Sequence, residues 1–212
     1  MTCYLARFAR GQLRRRESGK RWVADLDIFV GRITSTGFSS GDRIVIGDWR
    51  DSPLGSFTNV MWAKPDGTRI LLSPSEEHAE YVSQLYNFER VEIVEIAVDR
   101  SRRGVTVKAG FLSVEISWGL PFPLPFWRPL WFIARIESLF ARFLFGTRTH
   151  GRTKNNRSEW YSVRSISRVL SADASFGGDE MGESESFSTN ACFGFSEPPS
   201  IPASVSLKTY IE

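Results

Sequence analysis

VEIVEIAV (Val91–Val98), DRSRRG (Asp99–Gly104) and VTVKAGFLSVEISW (Val105–Trp118) form the stretch on which the fold reading turns. Val and Ile alternate with Glu, Thr and Lys along both arms, the period of a half-buried strand. The Asp, Ser, Arg and Gly between them supply a turn. Two such arms joined by a short connection pair antiparallel.

Upstream the same grammar repeats. Asp27 to Thr34 is β-branched and strand-like, and Thr36 to Asp42 is a turn cluster. RIVIGDW (Arg43–Trp49) reads as a strand, and Asp51 to Gly55 as a turn. Ser56–Ala63 and Thr68–Leu72 flank Lys64-Pro65-Asp66-Gly67, a hairpin turn with Pro and Asp-Gly where such turns want them. Ser73-Pro74-Ser75-Glu76-Glu77 then starts a helix, with a hydroxyl cap and acids in its first turn. Ala79, Val82, Leu85 and Tyr86 carry it at helical spacing, which predicts a helix over about 75–86.

Downstream, GLPFPLPFWRPLWFIARIESLFARFLFG (Gly119–Gly146) differs from the rest. Three prolines keep its start extended, and Pro129 suits a first helical turn. Phe132, Ile133, Ile136, Leu139, Phe140 and Phe143 then recur at helical spacing, opposite Arg135, Ser138 and Arg142. This predicts a second helix over about 130–145 with a wide apolar face. Three uses fit it: a core helix on the sheet, a lid over a barrel mouth, or an interfacial membrane helix. Thr147 to Arg157 reads as a basic loop, Trp160 to Ala172 as strands or a strand and a short helix. Ser175 to Asn190 reads as an acidic Gly/Ser loop. Ala191–Phe195 and Ser204–Tyr210 read as short terminal strands.

The predicted fold class is therefore α+β: a mainly antiparallel β-sheet, barrel-like, with two principal helices. Strands do not alternate with helices, which argues against a doubly wound parallel sheet. The expected organisation is a basic, disordered arm over residues 1–21, then a single β-rich domain over 22–212 with the acidic loop at about 175–190.

The 212 residues are 42% apolar and 13% aromatic with a formal net charge of +3, which excludes disorder as the main state. Only two cysteines, Cys3 and Cys192, exclude a disulfide scaffold. The small net charge hides segregation. Residues 1–21 and 142–168 each carry seven bases against one acid, while 173–197 carries six acids and no base. No apolar run follows the basic start as in a secretory signal, and no stretch of about 20 apolar residues suggests a spanning helix. A cytoplasmic location is expected.

No motif names a reaction. There is no Gly-x-Ser-x-Gly elbow and no phosphate loop ending in Gly-Lys-Ser or Gly-Lys-Thr. The two histidines, His78 and His150, lack partners at zinc spacing, so neither metal nor cofactor is expected. His78 reads as a surface residue. In Arg148-Thr149-His150-Gly151-Arg152, two guanidiniums could hold a phosphate or carboxylate beside a histidine; the plain alternative is a solvated basic loop. The Arg-rich start could meet nucleic acid through phosphate charge. However, the aromatics gather in Trp118 to Phe145 instead of interleaving with Lys and Arg, which argues against nucleic acid.

Ser40 to Arg50, Ser52 to Phe57, Ser73-Pro74-Ser75-Glu76-Glu77 and Gly194-Phe195-Ser196-Glu197-Pro198-Pro199 resemble segments of a conserved protein family of high-GC Gram-positive bacteria. The resemblance implies a bacterial, cytosolic protein and carries no activity with it.

The leading functional expectation is a binding domain for a small apolar or amphipathic ligand. Trp49, Trp62, Trp118 and Trp127 would form aromatic walls, with Arg148, His150 and Arg152 as polar anchors. One alternative is an enzyme acting on an anionic or phosphorylated substrate through Arg148, His150 and Arg152. Another is a protein- or membrane-interaction module using helix 130–145.

Overall fold

The computed structural model describes residues 26–124, 150–187, 192–194 and 200–212. Strands β1 (Asp27–Phe38), β2 (Arg43–Asp51), β3 (Phe57–Ala63) and β4 (Arg69–Ser73) form an antiparallel meander. The Lys64–Gly67 turn is closed by a 2.9 Å bond from the Gly67 amide to the Lys64 carbonyl, with Gly67 in the left-handed region that the turn requires. Helix α1 (Glu76–Leu85) follows, and β5 (Arg90–Ile93) returns parallel to β4. A second meander comprises β6 (Ile96–Ser101), β7 (Gly104–Ala109) and β8 (Leu112–Trp118), so the stretch that opened the sequence reading holds two hairpins. Then come β9 (Phe122–Pro123), β10 (His150–Arg152), β11 (Ser158–Phe176), β12 (Asp179–Glu180), β13 (Ser184–Glu185) and β14 (Ala203–Ile211).

The strands hydrogen-bond in the order β5-β4-β3-β2-β1-β14-β11-β8-β7-β6. The two ends of that order are neighbours in the chain, joined by Val94 and Glu95. The Val94 amide donates to the Ser73 carbonyl (3.0 Å), and the Gly110 amide to the Glu95 carbonyl (3.3 Å). Residues 90–101 thus pass from one partner, β4, to another, β7. Strand β11 makes the same exchange, pairing with β14 up to Arg168 and with β8 from Val169. Its register slips at Val163/Ser165 and again at Val169/Ser171, leaving Arg164 and Leu170 as exposed extra residues. Bulges bend a strand and raise its twist. Two strands that turn corners curl the sheet into a half-barrel.

The curl encloses an apolar interior. Ile44, Ile46, Val60, Trp62, Ile70 and Leu72 of the first meander face Val105, Val107, Leu112, Val114, Ile116 and Trp118 of the second. The alternate residues point outward, where α1 covers them. Ser75 caps that helix, accepting from the His78 amide, and Glu76 and Glu77 lie in its first turn. Its Ala79, Val82 and Leu85 fall on one face and pack on Phe29, Phe57, Leu71 and Ile211.

Strands make up 61% and helix 7% of the described residues. The expectation of an α+β fold with two principal helices is corrected to a mostly β fold with one helix, α1, among the described residues. The helix expected over 130–145 lies outside the described residues, as does the basic arm. One reason for the correction is β11, a single strand of 19 residues where two shorter elements were expected. Its Ser162, Ser165 and Ser167 pair with Lys208, Ser206 and Ser204. Polar residues therefore face polar residues inside the sheet, and the apolar alternation that marks a strand is missing. The acidic stretch after Phe176 adds the short strands β12 and β13. Among the described residues no helix is long and apolar enough to cross a membrane.

Candidate functional site

Two rows of cross-strand partners define one end of the interior. The first row runs Ser165, Ser206, Arg32, Asp48, Thr58 across β11, β14, β1, β2 and β3. The next runs Ser167, Ser204, Thr34, Ile46, Val60 across the same strands. Directly paired residues share a face, and Ile46 and Val60 belong to the interior core. All ten side chains therefore point inward, and the interior turns from apolar to polar at these rows.

Asp48 is 8% exposed and holds the best-partnered position. Arg100 reaches it from β6 with Nη2 donating to Oδ1 (2.6 Å) and Nε to Oδ2 (3.0 Å), while Thr58 Oγ1 donates to Oδ1 (2.8 Å). Burial pushes the Asp48 carboxyl up, but the hydrogen bonds from Arg100 and Thr58 and the charges of Arg100 and Arg50 outweigh it and hold the group below its ordinary value. The pair also ties β2 to β6 across the interior, which helps hold the curl.

Arg32 is placed differently. Its guanidinium donates to Ser204 Oγ (2.9 Å) and lies 4.8 Å from the Trp118 ring centroid. It is half-buried and, among the described residues, has no carboxylate within ion-pair distance. Burial lowers its basicity first, the nearby charge of Arg50 lowers it further, and Asp48 offsets part of this. Three guanidiniums, Arg32, Arg50 and Arg100, thus share one buried carboxylate. Beside them the Ser204 hydroxyl meets Thr34 Oγ1 (2.8 Å), and the Ser167 hydroxyl, in a residue only 2% exposed, has no partner among the described residues. Among the described residues, this end of the half-barrel therefore carries surplus positive charge, an aromatic face and an unsatisfied buried hydroxyl.

Of the residues expected to bind ligand, Trp118 belongs to this site. Trp62 is also interior, but its ring packs on Phe176 (centroids 5.0 Å apart) and its indole N–H donates to Asp42 (2.7 Å). Phe176 pairs with Leu112, six residues along β8 from Trp118, so the two tryptophans lie about 20 Å apart. Trp49 faces outward and meets Phe29 edge-on at 5.5 Å, in the cluster covered by α1. His150 stacks on Trp160 (4.9 Å, 13°) with Nδ1 3.1 Å from the Glu159 carbonyl. Arg152 is engaged by Asn156, donating to its Oδ1 at 2.8 Å. Trp127 and Arg148 lie outside the described residues. A cleft of about 210 Å³ lies at the Trp62 end, between Phe38, Asp42, Pro65, Glu185 and Phe187. It is smaller than the roughly 300 Å³ of the smallest usual ligand pockets. Among the described residues no group of three or more His, Cys, Asp and Glu side chains is placed to hold a metal ion.

Arg32, Asp48, Thr58, Arg100, Ser167 and Ser204 escaped the sequence reading. A signal was present for some of them. Asp48 is in phase with Ile44 and Ile46, and Arg100 with Ile96 and Val98, so period-two counting puts both charges on the buried side. Their meeting was not readable, because it joins β2 to β6 across the curl.

No protein-family model matches the chain, and no curated protein matches it in sequence. Among solved structures, it is similar to acetoacetate decarboxylase from Legionella pneumophila subsp. pneumophila str. Philadelphia 1, at 9% identity and a TM-score of 0.41, over 91% of this chain and 88% of that one.

Proposed function

We propose that the protein binds a small amphipathic anion at the polar end of its half-barrel. The carboxylate or phosphate of the ligand meets Arg32, and its apolar body lies against Trp118. The observation that carries this reading is the half-buried Arg32 guanidinium, set on an aromatic ring with no carboxylate within ion-pair distance among the described residues. A desolvated cation whose charge is offset only in part, here by Asp48, is costly, and an anion from outside would complete the compensation. Arg50 and Arg100 add to the attraction, and the Ser167 hydroxyl offers a further donor. A catalytic role for Arg148, His150 and Arg152 draws less support, since His150 and Arg152 are already engaged by Trp160, the Glu159 carbonyl and Asn156.

The test is a tryptophan-fluorescence titration with octanoate, benzoate and phenyl phosphate against octanol, benzamide and phenol. At least one anion is expected to bind, its uncharged counterpart to fail, and Arg32→Gln to weaken binding about tenfold or more, the scale of one charge-assisted contact. Equal binding of charged and uncharged members, no binding by any anion, or an unaffected Arg32→Gln variant overturns the reading.

A further inference from the structure

On the opposite face of the sheet lies a second cluster, independent of the ligand reading. Glu159 on β11 is 1% exposed, on the side covered by α1. The residue that ends α1, Tyr86, donates its hydroxyl to Glu159 Oε1 (2.8 Å) and lies 2.9 Å from the Tyr161 hydroxyl. Glu159 Oε2 has no partner among the described residues.

Three stretches of chain converge on this contact. The Lys154 amide donates to the Leu85 carbonyl (3.0 Å), tying the β10–β11 turn to the last turn of α1. The Asn87 amide and side chain both donate to the Phe193 carbonyl, at 2.7 and 3.2 Å. Gly194 lies so close to the Tyr86 ring that a Cβ there would be 2.8 Å from it. Tyr86 therefore lies between the end of α1 and Gly194, with its hydroxyl on a buried carboxyl, while Phe193 is also anchored against Val45, Ala63 and Phe88 and the Cys192 carbonyl accepts from Arg69.

We propose that Glu159 and Tyr86 form a proton-controlled latch, closed while the carboxyl is protonated and loosened when it ionises, releasing the end of α1 and residues 192–194 from the sheet. The surroundings compensate the charged form only in part: Tyr86 donates to Oε1, while Oε2 is buried with no partner among the described residues. Arg157 is the cation whose charge reaches Glu159, but it is held by Asp27 (2.6 Å), Tyr81 and the Glu212 carbonyl. His150 meets the backbone carbonyl of Glu159, not its carboxyl. Among the described residues, Ile211 and Thr209 of β14 pair with Glu159 and Tyr161, the α1 residues of this cluster, Ala79, Val82 and Leu85, carry no charge, and Tyr86 follows them. Burial accordingly drives the carboxyl up to about 7, and the hydrogen bonds from Tyr86 and Tyr161 and the Arg157 charge pull it back only in part. An ionised carboxylate with an empty oxygen needs water, which the closed contact excludes.

Hydrogen–deuterium exchange of the full chain at pH 6 and pH 8, corrected for intrinsic rates, tests the latch. In the wild type, peptides covering residues 82–88 and 192–194 are expected to exchange about tenfold faster at pH 8, while β7 and β8 do not change. Glu159→Gln is expected to abolish the pH dependence, which separates Glu159 from any effect of His150. NMR of the wild type labelled with ¹³C-carboxyl glutamate is expected to show one carboxyl titrating near neutrality. Equal protection of those peptides at both pH values, the same acceleration in Glu159→Gln, or glutamates that all titrate in the ordinary range would overturn the proposal.

Discussion

Replacing Asp48 by Asn keeps the shape of the side chain and removes its charge, and the two consequences have opposite signs. Asp48 accepts two bonds from Arg100 and one from Thr58. In the variant the amide oxygen still serves Thr58, but the amide nitrogen faces an Arg100 donor, and a two-pronged ionic contact becomes a single bond. Breaking a buried pair costs about 3–5 kcal/mol. Arg100 is 38% exposed, so solvent takes up part of its charge, and the expected loss is nearer 2 kcal/mol. In a chain of this size that lowers the melting temperature by about 4–8 °C. Asp48 also sits directly across from Arg32. An anion on Arg32 therefore gains about 1–2 kcal/mol when that negative charge goes, taking an effective dielectric of about 20–40 and a separation on the order of 7 Å. Thermal melts and a phenyl phosphate titration, run in parallel on wild type and variant, should show a less stable protein that binds the anion about tenfold more tightly. The folded Asp48 carboxyl is held below its ordinary value of 3.8, so its stabilisation is present above that value and vanishes as the pH falls through the depressed one. The gap between the two proteins should therefore close in strong acid. An unchanged melting temperature, or a folded variant that binds the anion no better, refutes the charge accounting.

Gly31→Ala would place a Cβ 2.2 Å from the Asp48 carbonyl oxygen and 2.9 Å from the Trp49 Cα. Both are backbone atoms that cannot yield, so urea unfolding should show a loss of about 2–3 kcal/mol. Leu71→Ala empties a fully buried site between α1 and the sheet and should cost about 2–5 kcal/mol by the same measurement, with α1 loosened in hydrogen exchange. Global stability should fall as the pH rises from about 4.5 to about 7. In that window folded Glu159 keeps a proton that the unfolded chain has released, so the unfolded state binds fewer protons. The loss amounts to at most about 3 kcal/mol, is complete above the folded value, and should be absent in Glu159→Gln when urea midpoints are compared across pH. Trp118→Leu should weaken binding of phenyl phosphate a few-fold by removing the face under Arg32, with the melting temperature following the lost burial.

The strand grammar of the first two-thirds of the chain was legible locally. Alternation in RIVIGDW, the Pro-Asp-Gly turn and the Ser75 cap are neighbour effects, and β2, the β3–β4 turn and α1 fall where they place them. The single arms read over Val91–Val98 and Val105–Trp118 are instead each divided, into parts of β5 and β6 and into β7 and β8. The same reading misjudged β11, because its inward serines meet serines on β14, and an element stabilised by distant polar partners shows no apolar period of its own. Aromatic content suggested that the tryptophans would converge, yet Trp49, Trp62 and Trp118 occupy the outer face and two separate parts of the interior. A residue's phase along its strand can be counted from sequence; the strand that will lie across from it cannot. The polar end exists because residues 90–101 and β11 each exchange partners, bringing Arg100 of β6 onto Asp48 of β2 and Trp118 of β8 under Arg32 of β1. Local chemistry settled which segments would be strands. Curvature of the assembled sheet, a sum over bulges and crossings far apart in the chain, decided which side chains would meet.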